Sequence, residues 1–334
     1  MKRSRANESR ALPGAEPARS EPTASRRAIV VDEEAVGFRL DQFLAQQDSS
    51  PTRSQLKGAI ERGEVTVNGR VVKPGHSLQW GERVEVALID VTSELIAEDI
   101  PLHILFEDDS VIVLVKPADL VVHPAAGHPT GTLVNALLHH CGPQLSEAGD
   151  PARPGLVHRL DKDTTGVMVV AKNLASHAHL AQQFEVHSTT RRYLALCLGP
   201  GFPDHGTFDT LHGRHPVDRK RFSSKVERGK RAVTHYEVLE RFRDGVLLVR
   251  CQLETGRSHQ VRVHLSENGA PILGDPLYGG RAAASTKLIQ RPALHAESLE
   301  FEHPVTHERL SFTQPPPEDF AAALDALRRG GAWR

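Results

Sequence analysis

The order of predicted strands and helices constrains the fold of this 334-residue chain more than any other feature. Beyond residue 100 the predicted strands outnumber the helices, and the two kinds do not alternate one for one. A doubly wound nucleotide-binding fold needs that alternation. We therefore predict an α+β fold, in which helices flank a mixed, largely antiparallel sheet. The strand-like stretches are GVMVVAK, RYLALCL, AVTHYEVLERF, GVLLVRCQLE and LHAESLEFEH, with two more β-rich stretches around Lys116 and Pro117, and the helical ones are GTLVNALLHH, NLASHAHLAQQFE, SHQVRVHLSENG and PEDFAAALDALR.

Residues 28–90 follow a different pattern, with two short amphipathic helices before a set of strands. The stretch VTVNGRVV predicts a tight hairpin with Asn68 and Gly69 at its turn. We predict a small αα-hairpin domain at 28–90 and a large domain at 100–330. The apolar residues at helical spacing are Leu40, Phe43 and Leu44 in the first helix and Leu56, Ala59 and Ile60 in the second.

Residues 1–27 are rich in Arg, Ser, Ala, Pro and Glu and nearly lack large apolar side chains. Such a stretch cannot bury enough surface to fold, so we predict a disordered tail. Its seven basic and three acidic residues suit loose contact with RNA, and they suit a solubilising extension equally well.

Composition excludes several classes of protein. The 41 Lys and Arg balance 42 Asp and Glu, so a basic surface can only be local. No apolar stretch approaches the roughly 20 residues needed to cross a bilayer. Cys141, Cys197 and Cys251 form no C-x-x-C pair, and we expect a cytoplasmic protein. The 19 histidines lack H-E-x-x-H spacing, so no metal site is predicted.

Asp161 is the candidate nucleophile or base, in the sequence HRLDKDTTG at 158–166. Neither a phosphate loop ending in G-K-[ST] nor a G-x-S-x-G elbow is present. A buried carboxylate stays charged only beside a fixed cation. Arg257, in ETGRSHQVRVHL at 254–265, could supply that charge through its planar fork. A structural salt bridge would use the same chemistry.

The motifs HRLDKDTTGVMVVAK, LETGRSHQVRVHL and PILGDPLYGG, taken in this order, resemble those of the pseudouridine synthases that act on ribosomal and transfer RNA. The resemblance runs from about residue 30 to 315 and includes an N-terminal S4 RNA-binding domain. It implies that Asp161 is the catalytic aspartate, that Arg257 is its partner and that Tyr193 is the active-site tyrosine. The Lys of the family's K-x-Y segment is replaced by Arg191, to which we assign no role.

The resemblance implies an RNA uridine isomerase that needs no cofactor and no metal. The target uridine would be flipped out of its stack. Arg159 could fill the space that the base leaves or hold a phosphate, although an ion pair with Asp163 would also explain it. Tyr193 could stack on the base, or be an ordinary half-buried strand tyrosine. His158 and Thr165 are further candidates for RNA binding at this loop. His158 is expected to order the loop by hydrogen bonding, and Thr165 to satisfy loop backbone groups.

Other basic residues are candidates for RNA binding. In the S4-like domain the second helix and hairpin would present Arg53, Lys57 and Arg62, although a solvated helix face explains them too. In the large domain, residues 213–231 form a basic stretch that looks like a loop closing on phosphates. Its candidates are Arg219, Lys220 and Arg221.

The expected partner is a stem-loop of 23S ribosomal RNA, free or in the assembling large subunit, bound by a monomer. Three alternatives remain open. The chain could act on transfer RNA, or it could be a non-catalytic assembly factor that keeps the fold. It could also be a metal-dependent hydrolase with Asp161 as nucleophile, which would leave the S4-like domain unexplained.

Overall fold

A computed structural model describes residues 25–32, 35–47, 53–88, 95–125, 128–218 and 220–333. The chain forms two compact units that divide between Glu94 and Leu95. The predicted tail lies mostly outside the described residues. Its last three positions do not, because the first strand begins at Ser25 and pairs with a later strand of the same unit.

The first unit contains two helices and a four-stranded antiparallel sheet, in the order β1-β4-β2-β3. The predicted apolar residues of both helices are buried or half-buried against Val65, Val67 and Val84 of the sheet. Asn68 and Gly69 have φ of 49° and 74°, as the predicted tight hairpin turn requires. The elements are β1 (Ser25–Val30), α1 (Leu40–Gln47), α2 (Arg53–Glu61), β2 (Val65–Val67), β3 (Arg70–Val71) and β4 (Arg83–Leu88).

The second unit is built on a ten-stranded sheet, in the order β10-β9-β11-β12-β8-β13-β7-β6-β5, with β14 paired to β13. Among the strand pairs of the described residues only β7 with β13 is parallel, which confirms the predicted mixed, largely antiparallel sheet. Its strands are β5 (His103–Glu107), β6 (Val111–Lys116), β7 (Thr165–Ala171), β8 (Thr190–Leu198), β9 (His205–Arg214), β10 (Phe222–Ser223), β11 (Lys230–Arg241), β12 (Val246–Leu253), β13 (Leu294–Glu302) and β14 (Arg309–Thr313). Its helices are α3 (Leu133–Cys141), α4 (Leu174–Glu185), α5 (Gln260–Glu267), α6 (Gly280–Ala284) and α7 (Glu318–Arg328).

Strands β6 and β7 are continuous apolar runs because both faces of the sheet are covered here. Met168 and Val170 pack into the core that contains α3. Val167 and Val169 pack into a second core that contains Leu180 of α4. Strand β7 is therefore buried along its whole length, and it carries the loop with Asp161 at its N-terminal end.

Two predictions about secondary structure need correction. The β-rich stretch after Pro117 is not a strand, because the carbonyls of Val121 and Val122 accept hydrogen bonds from the first N–H groups of α3. Residues 213–231 are not a simple loop either. They include the end of β9, the short β10 that pairs back onto it, and the start of β11.

Gly166 is required where β7 meets its parallel neighbour. It has φ of +127°, and a Cβ there would lie 2.2 Å from the carbonyl oxygen of Ala296. Gly269, with φ of +88°, has nothing within 4 Å of its Cβ position. We expect Gly269→Ala to cost about 1 kcal/mol in free energy of unfolding for its backbone conformation. Gly166→Ala should cost about 2 kcal/mol more, because the strands must separate.

Urea unfolding of both variants measures this difference. Equal losses would show that the contact with Ala296 is relieved at no cost.

Candidate active site

A cavity of about 510 Å³ lies in the second unit. Its wall is made by the loop before β7, the C-terminal part of α4, strand β8 and the turn that leads into α5. Asp161, Tyr193 and Arg257 all line it. The volume is that of an ordinary small-ligand site. The three residues predicted to be catalytic therefore lie around one cavity that could hold a ligand.

Asp161 is largely buried at the edge of this cavity, with 18% of its side chain exposed. Its Oδ2 accepts a hydrogen bond from Nη1 of Arg262 at 3.0 Å. Its Oδ1 lies 3.9 Å from Nε2 of His259, which is too far for a hydrogen bond. One carboxylate oxygen is therefore fixed by a cation, while the other has no such bond to either residue.

Arg262 also holds a second, fully buried carboxylate. Its Nε and Nη2 donate to the two oxygens of Asp275 at 2.7 and 3.0 Å. Burial opposes the charge on Arg262, but the hydrogen bonds that Arg262 donates to Asp275 and the charge of Asp161 outweigh this effect and raise the pKa of Arg262 above the usual range. Burial likewise opposes the charge on Asp275, and Arg262 lowers the pKa of that carboxyl nonetheless. Arg262 is thus a permanent cation aimed at Asp161.

The prediction that Arg257 is the partner of Asp161 is wrong, because Arg262 holds that position. Arg257 donates from Nε to the carbonyl oxygen of Arg231 at 3.1 Å and forms no ion pair among the described residues. It lies in the turn before α5, whereas Arg262 lies within the helix and is only 7% exposed. An arginine between Val261 and Val263 on a buried helix needs a charged partner. This pattern in the sequence could have identified Arg262. A catalytic role for Arg257 stays a prediction.

Lys116 binds the backbone of the loop that carries Asp161, a role that the sequence did not predict. It is fully buried. Its Nζ donates to the carbonyls of Pro117, Leu120 and Lys162 at 2.6, 2.9 and 2.7 Å, which uses all three donors. Burial lowers the pKa of Lys116 to about 7, against the opposing effect of Asp163. The residue after Asp161 is therefore tied to the end of β6.

Tyr193 lies on β8 with 8% of its surface exposed. Burial, together with the negative charge of Asp161, raises its pKa to about 12. The phenol is therefore protonated near neutral pH. It offers the cavity an aromatic face and an O–H group, which are the features that the two predicted roles need.

Three arginines that line the cavity have no carboxylate partner among the described residues: Arg159, Arg191 and Arg257. Arg159 is exposed, and the alternative ion pair with Asp163 does not form. Arg191 is only 6% exposed, and its Nη2 donates to the carbonyl of Glu254 at 2.5 Å. Burial lowers the pKa of Arg191. Cations left without a counter-charge in a cavity wall favour an anionic ligand.

His158 and Thr165 differ in outcome. Nε2 of His158 accepts from the N–H of Val169 at 3.1 Å, and the ring stacks on Phe184 at 4.6 Å. Burial and the charge of Arg191 lower the pKa of His158 to about 3. The hydrogen bond ties His158 to β7, and RNA binding by His158 stays a prediction. Thr165 is buried, and its hydroxyl is bonded to His295 at 2.8 Å. It does not line the Asp161 cavity, which corrects its assignment to RNA.

The other predicted RNA-binding residues give a mixed result. Lys57 is exposed but lies 3.7 Å from Glu61, and Arg62 is paired with Glu64 at 2.6 Å. Lys220 is exposed, whereas Arg221 lies over the ring of Tyr278 at 5.2 Å. The side chain of Arg53 and all of Arg219 lie outside the described residues. RNA binding by these residues stays a prediction.

His179, Glu302 and His307 are the described residues whose spacing resembles a metal-ligand set. The amide of Gln183 is fixed by two hydrogen bonds to the backbone of Glu302, so its N–H donates to Nδ1 of His179 at 3.0 Å. Nε2 of His179 then carries a proton and faces Glu302. This arrangement fits a hydrogen-bonded cluster better than a metal site, and its members do not line the cavity.

In the described part of the chain, every helix is too short or too polar to cross a membrane.

Comparisons with known proteins agree with the geometry. The family model described as RNA pseudouridylate synthase matches residues 110–267, and the S4 domain model matches residues 38–84. The chain is 46% identical to the ribosomal large subunit pseudouridine synthase D of Pseudomonas aeruginosa, over 91% of this chain and 96% of that protein. It is 45% identical to the uncharacterized RNA pseudouridine synthase YlyB of Bacillus subtilis, over 91% and 98%. Among solved structures, human RNA pseudouridylate synthase domain containing 1 has a TM-score of 0.52 at 26% identity, over 66% and 86%.

Proposed function

The chain belongs to the RNA pseudouridine synthases, which are isomerases, and on that premise we propose that its substrate is a stem-loop of large-subunit ribosomal RNA. The relatives named for that substrate match it over nearly their whole length. The S4 domain supports capture of structured RNA. The observation that carries the proposal is the cavity itself, in which a carboxylate fixed by Arg262 lies among three arginines free of carboxylates in the described structure.

Asp161 is the proposed catalytic residue. Pseudouridine formation breaks the bond between the ribose and a ring nitrogen, rotates the uracil and rejoins it through a ring carbon. No atom is gained or lost, so a carboxylate that attacks the nucleoside or removes a proton suffices. Arg262 holds Oδ2 and orients the group. The protonated phenol of Tyr193 lines the same cavity, and its proposed roles are to stack on the base and to assist the proton transfer at the ring carbon.

The cationic wall is the proposed binding surface for the flipped nucleotide. Flipping costs a few kcal/mol, which contacts to the displaced nucleotide and its phosphates must offset. Arg159 is exposed two residues before Asp161 in the sequence, and its proposed role is to contact the RNA backbone. Arg257 and the buried Arg191 supply further positive charge.

The proposal extends to action in the cytoplasm, by a monomer, on RNA or on the assembling subunit. The three cysteines are unpaired, which suits a reducing compartment. Transfer RNA is the alternative substrate. The intact Asp161, Arg262 and Asp275 arrangement favours a catalyst over a non-catalytic assembly factor.

Incubation with unmodified large-subunit ribosomal RNA tests the proposal. The protein is used without added metal or cofactor, and pseudouridine is mapped by carbodiimide labelling and primer extension. Discrete new stops in one stem-loop are expected. Stops in transfer RNA alone would show that the substrate is wrong, and no stops in any RNA would contradict the activity.

Arg159→Ala should weaken RNA binding and reduce its salt dependence. Loss of one phosphate contact lowers the slope of log K against log salt by about 1. Arg153→Ala is the matched control, because Arg153 also lines the cavity but is paired with Asp150 at 2.8 Å. Filter binding across a range of salt gives both slopes. If the two variants behave alike, the unpaired charge of Arg159 is not what binds RNA.

A further inference from the structure

The hydroxyl of Tyr278 has its hydrogen-bonding role fixed by the backbone. It accepts from the N–H of Phe222 at 2.8 Å and lies 2.8 Å from Nδ1 of His259. A hydroxyl has one proton to donate. Among the described residues Nδ1 of His259 is the acceptor within reach, so the Tyr278 proton goes to that nitrogen.

This bond determines the tautomer of His259. Because Nδ1 accepts, Nε2 carries the hydrogen in the neutral ring. Nε2 points towards Oδ1 of Asp161 from 3.9 Å, and it makes no hydrogen bond within the described structure. His259 lines the cavity and has 22% of its side chain exposed. An N–H donor is thus presented to the cavity beside the free oxygen of the carboxylate.

The backbone of His259 is held in an unusual conformation. Its φ and ψ are 59° and 17°, in the left-handed region, immediately before α5. Such a conformation costs about 1 kcal/mol for a residue with a Cβ, and it persists only when its surroundings impose it. Here the side chain of Gln260 imposes it, by accepting from the N–H of Arg257 and the hydroxyl of Thr255 and donating to Val233.

We propose that His259 contacts the substrate, donating from Nε2–H to an oxygen of the flipped uridine held beside Asp161, while Tyr278 fixes the tautomer. This inference rests on the proposed function. The acceptor is a ribose hydroxyl or a uracil carbonyl, which share the same chemistry. His259 would then position the nucleoside against the carboxylate, a role in which a small displacement is costly.

The charges around His259 favour the neutral ring. Burial is the main cause that lowers the pKa of His259. Asp161 and Asp275 favour protonation, whereas Arg262 and Arg159 oppose it. Protonation would place a cation beside Asp161 and compete with substrate for its free oxygen. Activity should therefore fall as the pH drops through the pKa of His259.

Two variants test the inference in the full-length protein. His259→Asn keeps a side chain that tolerates the left-handed conformation, and Tyr278→Phe keeps the ring that lies 5.0 Å from the Arg262 guanidinium. The matched control is His307→Asn, at another left-handed histidine, in an exposed turn outside the cavity. We expect kcat on a ribosomal RNA stem-loop to fall about tenfold in both test variants, the effect of one hydrogen bond. The control should match wild type.

The pH profile separates this role from a structural one. Removing the Tyr278 hydroxyl takes away the donor that stabilises the neutral ring, so the acid limb of kcat should move to higher pH in Tyr278→Phe. In His259→Asn that limb should disappear. Stems with 2′-deoxyuridine or 2-thiouridine at the target identify the acceptor, since the variant's defect vanishes when its acceptor oxygen is absent.

Wild-type kcat in His259→Asn, or an unmoved acid limb in Tyr278→Phe, overturns the inference while leaving the activity intact. A wild-type protein inactive on every RNA overturns the proposed function and the inference with it. Thermal melting of each variant shows that the fold is kept.

Discussion

Replacing Asp161 with Asn should abolish pseudouridine formation while RNA binding persists. Asn has nearly the same shape, and Arg262 stays anchored by its two bonds to Asp275, so the cavity keeps its form. What is lost is the carboxylate that we propose reacts with the nucleoside. Removing a nucleophile of this kind lowers kcat by about 10⁴-fold or more. Pseudouridine mapping under single-turnover conditions measures the loss, and filter binding measures the affinity.

Asp163→Asn is the matched control for this experiment. It makes the same change two residues further along the same loop, at a side chain outside the cavity wall. We expect its activity to stay close to wild type. Turnover by Asp161→Asn at a comparable rate would refute the role given to Asp161, whatever the RNA used.

Removing Arg262 should lower the free energy of unfolding of the second unit by a large amount. Arg262→Met leaves Asp275 fully buried without its cation, and breaking one partner of a buried pair costs about 3–5 kcal/mol. The double variant Arg262→Met with Asp275→Leu removes both buried charges and should recover much of the free energy of unfolding. Activity should stay lost in both, because Asp161 then lacks the hydrogen bond from Arg262 that orients its carboxylate.

Urea unfolding and pseudouridine mapping of the two variants give the comparison. Since Arg262 lowers the pKa of Asp275, the pair stabilises the fold above the unfolded pKa of that carboxyl. That stability is lost as the pH falls through the lower, folded value. Acid destabilisation should accordingly be smaller in the double variant than in wild type. A double variant no more stable than Arg262→Met would show that packing, not charge, makes Arg262 necessary.

The fold was predictable wherever one periodicity dominated. Strand β7 is buried along its whole length, and its apolar run from Val167 to Ala171 was evident from the sequence. The stretch after Pro117 has equally apolar residues, yet it is irregular because its carbonyls accept from α3. Such a bond depends on a helix that follows in the chain, and local composition does not reveal it.

Within the site, the sequence predicted the carboxylate of Asp161 but not the cation that pairs with it, Arg262. Asp161 is identified by its motif, whereas the choice between Arg257 and Arg262 depends on where α5 begins and on which of its residues point inward. Thr164 and Thr165 illustrate the same limit, since adjacent residues point to opposite faces at the start of a strand. Only Thr164 lines the cavity. The hydrogen bond between Tyr278 and His259 joins residues of two separate motifs, and the spacing of residues in the sequence does not predict it.

The parallel pairing of β7 with β13 has a consequence for synthesis of the chain on the ribosome, because it joins segments that are far apart in the sequence. Gly166 pairs with Ala296, 130 residues later, and the cation for Asp161 comes 101 residues after it. A chain emerging from the ribosome passes through a long interval in which the carboxylate exists without its counter-ion or its neighbouring strand. Contacts of such range form late in folding. We therefore expect a nascent chain to be inactive until β13 has been translated.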